Sequence, residues 1–339
     1  MITQIKRAPY ADYKKNRIRV GITMGDPSGI GPAITLKAIC KLKRLADFIV
    51  IGDGNVLKKA SGSKLEASGI KLVDLKNVPC KNFKFGQLKA EYGHAAMEYL
   101  DTALDLLKNK EIDCLVTCPV SKEAVNLSGT KFSGHTEYLA EHTQTKDFVM
   151  LLLNKSLKIS LITRHTPLKD VASKLKDEMI YKNILLTFNA MRKLFLIKNP
   201  RIVVCGLNPH ASDNGLLGNE ENTIIKPAIE KIKNKLGALI TGPLSSDVAI
   251  YKTSQKLYDC AIAMYHDQAL IPLKLLRADT GVNLTLGLPF IRTSPLHGTA
   301  FDIAANLGLA NPNSLIEAIR VAVKCVVNLN KTLTRAYPN

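Results

Sequence analysis

The stretch GITMGDPSGIGPAI, Gly21 to Ile34, predicts an apolar strand, a glycine-rich turn and the start of a helix. Such a junction is typical of loops whose backbone N–H groups hold a phosphate at a helix N-terminus. The glycines have the spacing G-x-x-x-G-x-G, which differs from the dinucleotide fingerprint, and no Gly-Lys-Ser/Thr of a P-loop follows. The turn alone therefore leaves a ligand loop and a tight structural turn both open.

Short runs rich in Val, Ile and Leu alternate with amphipathic stretches along the rest of the chain. This alternation predicts an α/β protein with largely parallel sheets flanked by helices. The last helix is predicted to begin with a capping box of Ser314 and Glu317. The predicted strands are Arg17–Thr23, Phe48–Gly52, Asp113–Cys118, Phe148–Leu153, Ile159–Thr163, Arg201–Gly206, Ala238–Thr241 and Cys260–Tyr265.

The composition is typical of a folded globular protein rather than of a disordered or membrane-spanning one. An apolar fraction of 46% predicts a folded chain, and no apolar run is long enough to predict a membrane span. Residues 1–16 are basic, lack the apolar segment of a signal peptide and are predicted to form an N-terminal arm. The seven cysteines are scattered without a CxxC pair, which favours a reducing cytoplasm.

The net charge of +18 raises the question of nucleic-acid binding. The lysines are spread over the whole chain, only 6% of residues are aromatic, and there is no Trp to stack on bases. This pattern favours a solvated lysine-rich surface, so no nucleic-acid partner is expected.

Three histidines, His165, His210 and His266, each closely follow a predicted strand. Because ligands gather at the carboxyl ends of parallel strands, these side chains could bind one divalent metal with an open position for substrate. Their separations of 45 and 56 residues are not a local metal-binding spacing. Hydrogen-bonded loop histidines therefore remain an alternative.

Groups suited to anion binding follow His266: Lys274, Asn283 and Arg292. Arginine suits bidentate binding of phosphate or carboxylate, and lysine supplies a point charge. Surface ion pairing is the alternative. No G-x-S-x-G elbow occurs, so a Ser-His-Asp triad is not supported.

Five stretches together resemble the 4-hydroxythreonine-4-phosphate dehydrogenase family, the NAD-dependent enzymes of pyridoxal 5′-phosphate biosynthesis. They are GITMGDPSGIGPAI, SGHTEYLA, GLNPHA, AMYHDQALIPLK and GVNLTLGLPFIRTSPLHGTAFDIA, and they run from Gly21 to Ala304. More distantly, GDPSGIGP and HGTAFDIA resemble isocitrate and isopropylmalate dehydrogenases. The resemblance implies their two-domain fold, with the active site in the interdomain cleft. The implied domains are 17–127 plus 298–339, and 128–297.

The resemblance also implies site residues. It assigns one divalent metal (zinc, magnesium or cobalt) to His165, His210 and His266. It assigns NAD or NADP to the loop that contains His297, Gly298, Thr299, Ala300 and Asp302. It assigns substrate to His135, Thr136, Lys274, Asn283 and Arg292. The general base stays open between His135, Asp247 and a metal-bound water.

The implied reaction oxidises 4-phosphohydroxy-L-threonine to 2-amino-3-oxo-4-(phosphohydroxy)butanoate, which loses CO₂ to give 3-amino-2-oxopropyl phosphate. The implied assembly is a homodimer whose active site is shared between subunits. Departures from the family pattern at Ala33, Leu296 and Asp213 leave a second possibility. It is a paralogous dehydrogenase of 4-phosphothreonate or erythronate 4-phosphate. A basic polyanion-binding protein is the remote alternative from another class.

Overall fold

Strands and helices alternate in the computed structural model, which describes residues 17–61, 70–236 and 239–336. The predicted basic arm, residues 1–16, lies outside the described residues. The strands are β1 (Arg19–Thr23), β2 (Asp47–Gly52), β3 (Lys71–Asp74), β4 (Cys114–Thr117), β5 (Val149–Leu153), β6 (Lys158–Leu161), β7 (Ile202–Cys205), β8 (Ile240–Leu244), β9 (Cys260–Ala263), β10 (Val282–Leu286) and β11 (Ile291–Pro295). The α-helices are α1 (Gly31–Leu42), α2 (Gly54–Ser61), α3 (Ala90–Lys108), α4 (Lys122–Leu127), α5 (His135–His142), α6 (Leu168–Lys174), α7 (Asp177–Lys193), α8 (Lys226–Leu236), α9 (Ser246–Ser254), α10 (His266–Arg277), α11 (Phe301–Ala304) and α12 (Asn313–Ala336).

The strands form one sheet in the order β3-β2-β1-β4-β11-β10-β5-β6-β9-β7-β8. The antiparallel pairings are β11 with β10, β10 with β5, and β5 with β6, and the remaining pairs are parallel. The prediction of an α/β fold with a largely parallel sheet is therefore confirmed. Because β6, β9 and β7 are parallel neighbours, their carboxyl ends lie at one edge of the sheet.

The hairpin of β10 and β11 was not predicted from the sequence. It turns at Gly287, whose φ of 101° lies in the region that favours glycine. The run LGLPFI gives no alternating pattern, because its hydrophobic residues lie in the turn as well as in the strands. The hairpin matters for function because it carries Asn283 and Arg292.

The predicted ends of two other elements are wrong. The last helix begins at Asn313, so Ser314 lies inside it. Instead of capping the helix, the Ser314 hydroxyl donates to the Gly281 carbonyl at 2.5 Å and accepts from the Leu296 N–H at 3.1 Å. Strand β8 continues to Leu244, beyond the predicted end at Thr241. The first residue of that predicted strand, Ala238, lies outside the described residues.

Apolar side chains cover both faces of the sheet. One core packs α1, α3 and α12 against β1, β2, β4 and the β10–β11 hairpin. On the other half of the sheet, α9 and α10 pack on one face and α7 and α8 on the opposite face. No helix among the described residues has the length and apolar character that a bilayer span requires. The division into domains 17–127 plus 298–339, and 128–297, stays a prediction.

The glycine-rich turn between β1 and α1 is a buried junction rather than an open phosphate loop. The N–H groups of Ser28 and Gly29 donate to the side chain and the carbonyl of Asp26, at 2.9 and 3.1 Å. The Ile30 N–H donates to the Thr299 carbonyl at 3.0 Å. These N–H groups are therefore already used, and the turn supports the loop that contains Thr299.

Replacing Gly31 in this turn tests how closely the junction is packed. A Cβ on Gly31 would stand 2.1 Å from the Met24 carbonyl oxygen, and backbone cannot move aside as a flexible side chain can. We expect Gly31→Ala to lower the free energy of unfolding by about 2–4 kcal/mol, measured by urea denaturation. Gly298→Ala is the control, because a Cβ there would meet nothing within 4 Å, and its unfolding midpoint should not change. Equal stability of the two variants would contradict the close packing.

Candidate active site

A buried arginine without a carboxylate partner lies at the centre of the candidate site. Arg292 is 2% exposed and makes no ion pair with any described residue. Its Nη1 donates to the hydroxyls of Thr136 and Thr285 at 3.3 and 3.2 Å, and its Nη2 donates to the Thr117 hydroxyl at 2.6 Å. Its Nε has no partner among the described residues. Burial lowers the pKa of Arg292 to about 10, so the guanidinium remains charged at neutral pH.

Strand pairing explains why these groups share one face of the sheet. Thr285 on β10 lies directly opposite Arg292 on β11, and Asn283 lies two residues before Thr285 and points to the same side. The Asn283 Oδ1 and the His135 Nε2 are buried polar atoms without a partner among the described residues. Burial, followed by the charges of Arg292 and Lys122, lowers the pKa of His135 well below its usual range. Neutral His135 and Asn283 therefore offer free hydrogen-bonding atoms beside a buried cation.

Lys122, which the sequence reasoning did not single out, belongs to the same region. It is the first residue of α4, after the N-cap Ser121, whose hydroxyl accepts the Ala124 N–H at 3.2 Å. Its Nζ lies 3.9 Å from where a Cβ on Gly134 would stand. Lys122 follows the end of β4, as the three histidines follow the ends of their strands. This position is the feature of the sequence that indicates a residue near the site. A second cation thus lies near His135.

Two of the three predicted metal ligands come together. The ring centroids of His165 and His266 are 5.9 Å apart, because β6 and β9 are neighbours. The His266 Nδ1 contacts Asp267 Oδ1 at 2.6 Å, which orients the ring. Burial, followed by the charge of Lys122, lowers the pKa of His165 and favours the neutral imidazole that binds metals. The donor chemistry fits a divalent metal at this pair.

The third predicted ligand, His210, lies after β7 on an exposed turn. Within the described residues, no group of three or more His, Cys, Asp or Glu side chains could hold one metal ion. A single chain therefore does not bring the three histidines into one set. His210 begins a run of five non-glycine residues with positive φ, ending at Asn214, each of which costs about 1–2 kcal/mol.

Asp247 lies at the start of α9, close enough to His210 for their charges to interact. Its carboxylate accepts a hydrogen bond from the Ser245 hydroxyl. This hydrogen bond, followed by one from the Val248 N–H, lowers the pKa of Asp247. Asp247 is therefore ionised at neutral pH, and the general base stays open between His135, Asp247 and a metal-bound water.

The predicted cofactor loop rests on the glycine-rich turn. The His297 Nδ1–H contacts the Gly298 carbonyl at 3.0 Å, and its Nε2 is buried without a partner among the described residues. Ala300 has a left-handed backbone, with φ 49° and ψ 54°, and precedes Asp302 in the first turn of α11. The free Nε2 fits a hydrogen bond to a bound ligand, so the residues present suit the predicted cofactor.

Lys274 lies apart from the Arg292 group. It is exposed on α10, two helical turns after His266, and makes no hydrogen bond or ion pair within the described parts of the chain. The same helix exposes two large apolar side chains, Ile271 (58% exposed) and Leu275 (81% exposed). The structure therefore does not join Lys274 to the other predicted substrate residues within one chain.

Comparison with known proteins identifies the family. The model of the family "Pyridoxal phosphate biosynthetic protein PdxA" matches residues 44–322. The 4-hydroxythreonine-4-phosphate dehydrogenase of Sulfurihydrogenibium sp. (strain YO3AOP1) is 44% identical over 90% of this chain and 98% of that protein. The D-threonate 4-phosphate dehydrogenase of Cupriavidus necator is 39% identical over 89% of this chain and 95% of that protein. The resemblance drawn from the five motifs is confirmed.

Solved structures support the same assignment. The crystal structure of 4-hydroxythreonine-4-phosphate dehydrogenase from Klebsiella pneumoniae has a TM-score of 0.81 at 35% identity, covering 92% of this chain and 98% of that chain. Isocitrate dehydrogenase from Methylococcus capsulatus shares the fold alone, with a TM-score of 0.50 at 13% identity over 94% of this chain and 89% of that chain. The chain therefore belongs to the PdxA family of pyridoxal phosphate biosynthetic proteins.

Proposed function

We propose that this protein oxidises 4-phosphohydroxy-L-threonine with NAD or NADP and a divalent metal, as the reaction that feeds pyridoxal 5′-phosphate biosynthesis. The observation that carries the proposal is the buried guanidinium of Arg292, which makes no ion pair with a described residue and is compensated only at a distance by the charge of Glu137. A buried unpaired charge costs several kcal/mol, so such a residue is expected where an anionic ligand completes it. A substrate with both a phosphate and a carboxylate supplies that anion.

The three threonine hydroxyls hold the guanidinium in one orientation before substrate arrives. Each hydroxyl accepts a hydrogen bond from Arg292, so the side chain does not need to reorganise on binding. Lys122 supplies a second positive charge beside His135. Together, Arg292 and Lys122 would hold the anionic groups and place the reacting carbon near His135.

We expect neutral His135 to accept a hydrogen bond from the substrate hydroxyl and orient it, since a pKa well below the usual range makes the ring a weak proton acceptor. Its pKa is held well below the usual range by burial, followed by the charges of Arg292 and Lys122, so the ring is neutral. Its buried Nε2 is free to accept a hydrogen bond. Asp247, which is ionised and close to His210, would interact with the substrate ammonium group where His210 completes the site.

A divalent metal held by His165, His210 and His266 would act as a Lewis acid on the substrate hydroxyl. A bound NAD or NADP would supply the hydride acceptor for this oxidation. His297, Gly298, Thr299, Ala300 and Asp302 would hold the cofactor. Their loop is fixed by the Ile30 N–H, which donates to the Thr299 carbonyl.

We infer that two chains form the complete site. His210 does not join His165 and His266 in a described cluster, and exposed Lys274 makes no hydrogen bond with the Arg292 group among the described residues. Both His266 and Lys274 lie on α10, whose exposed Ile271 and Leu275 form an apolar surface suited to a second copy of the chain. A homodimer packed on α10 would bring these ligands to a shared site.

Replacing Arg292 separates its role in function from its role in stability. We expect Arg292→Met to lower kcat/KM for 4-phosphohydroxy-L-threonine by about a hundredfold or more, because the anion loses its charged donor. The free energy of unfolding should change little, because removal of the buried charge offsets the loss of its hydrogen bonds to three threonine hydroxyls. NADH absorbance and urea denaturation provide the two measurements. Arg44→Met, an exposed arginine just after α1 and away from α10, is the matched control and should change neither.

Substrate preference is tested on the unmodified protein. We expect faster NADH production with 4-phosphohydroxy-L-threonine than with 4-phosphothreonate or erythronate 4-phosphate, because Asp247 can pair with the ammonium group. The similarity to the D-threonate 4-phosphate dehydrogenase of Cupriavidus necator makes 4-phosphothreonate the second candidate substrate. Asp247→Asn should reduce the preference by about tenfold, since one charged hydrogen bond is lost. A higher rate on either non-amino compound would overturn the assignment of the substrate.

The proposed dimer is tested by introducing a carboxylate on the exposed face of α10. We expect Leu275→Glu to be a folded monomer by light scattering and to lose most activity, because a buried carboxylate opposes association. Leu309→Glu places the same charge on an exposed leucine away from α10 and should remain a dimer. A Leu275→Glu variant that stays a dimer would rule out α10 as the interface.

A further inference from the structure

The turn that carries His210 is the most strained segment of the candidate site. Five successive non-glycine residues, from His210 to Asn214, have φ between 43° and 69°. L-residues avoid this left-handed region, and a run of them persists only where the surrounding structure holds it. Some neighbouring group must therefore fix this turn.

The fully buried carboxylate of Glu221 holds the entrance to the turn. Its Oε1 accepts the backbone N–H groups of Leu207 and Asn208 at 2.8 and 2.7 Å. Its Oε2 accepts the Asn208 Nδ2 at 2.9 Å. Gly206 leaves room for it, since a Cβ there would stand 3.1 Å from the Glu221 Oε1. One side chain thus fixes Leu207 and Asn208, the last two of the three residues between β7 and Pro209.

Hydrogen bonds connect the carboxyl ends of β6, β9 and β7, next to the start of this turn. The Gln268 Nε2 donates to the Gly206 carbonyl at 2.9 Å, and its Oε1 accepts the Met264 N–H at 2.6 Å. The Thr163 hydroxyl donates to the Met264 carbonyl at 2.7 Å. The ends of β6, β9 and β7 therefore form one connected unit, and the chain from Leu207 onward is the joint that remains to be fixed.

We propose that Glu221 is the positioning residue for His210. Its carboxylate sets the direction in which the chain leaves β7, and so sets where the His210 imidazole lies relative to the strand ends. This inference rests on the proposed role of His210 as a metal ligand. A glutamine at this position would point an NH₂ donor at a group that is itself a donor, so the clamp needs a carboxylate rather than a side chain of similar size.

The test is Glu221→Gln in the full-length protein, titrated with Co²⁺ and followed by visible absorption. We expect the Co²⁺ affinity to fall by about 10- to 100-fold, as for other residues that orient a ligand from behind. Amide exchange of the metal-free protein should become faster across residues 207–217. Glu221→Asp, which keeps the acceptor, should recover part of the affinity. Glu230→Gln, on the exposed face of α8, is the matched control and should change neither measurement.

Further variants keep the outcomes distinct. His210→Ala should lose Co²⁺ affinity while exchange at Leu207 and Asn208 stays slow. If Glu221→Gln fails to fold, Asn208→Ala removes one of the three donors and should lower the affinity several-fold. A folded Glu221→Gln variant, or failing that Asn208→Ala, with the Co²⁺ affinity and exchange of the unmodified protein overturns the proposal. If the unmodified protein binds no Co²⁺, the metal role fails, and the exchange data alone decide whether Glu221 holds the turn.

Discussion

The burial of a guanidinium without a carboxylate is the constraint on which the rest of the site depends. Arg292 emerges from a strand inside the sheet, so its backbone cannot move to bring the charge into water. Three threonine hydroxyls from β4, β10 and α5 share its donors, and its charge is compensated only from a distance, by Glu137. Such an arrangement favours ligand binding over stability, because the free energy lost on burying the charge is recovered only when an anion binds.

The sequence predicts the architecture well because its signal is repeated along the chain. Eight predicted strands and their order relative to the helices follow from buried apolar runs, and parallel pairing follows from the alternation. The β10–β11 hairpin escapes this reasoning, since its pairing is antiparallel and its turn is as apolar as its strands. At Ser314, too, tertiary contacts override the structure that the local sequence pattern predicts. Its pattern with Glu317 suits a capping box, but tertiary contacts to Gly281 and Leu296 take its hydroxyl instead.

Some residues of the candidate site can be predicted from the sequence, and others cannot. Histidines after strands are visible in the sequence, and the parallel neighbours β6 and β9 bring His165 and His266, two of the three predicted ligands, close together. The sequence gives no comparable signal for Glu221, whose importance comes from three N–H groups more than ten residues away. Lys122 is intermediate, because its place after β4 is visible but its approach to Gly134 depends on how α4 and α5 pack.

The glycine-rich turn is visible in the sequence, but what it does depends on contacts that only the fold creates. Its pattern suggests direct contact with a phosphate, yet its N–H groups are satisfied by Asp26 and Thr299. The glycines are needed for close approach: a Cβ on Gly29 would stand 2.9 Å from the Thr299 carbonyl oxygen. The turn therefore holds the loop at Thr299, and in the proposed function it would affect the cofactor only through that loop. Glu221 has the same relation to the turn at His210. In both places the strand end is rigid, the residue facing the ligand lies on a loop, and a buried neighbour decides where that loop can lie.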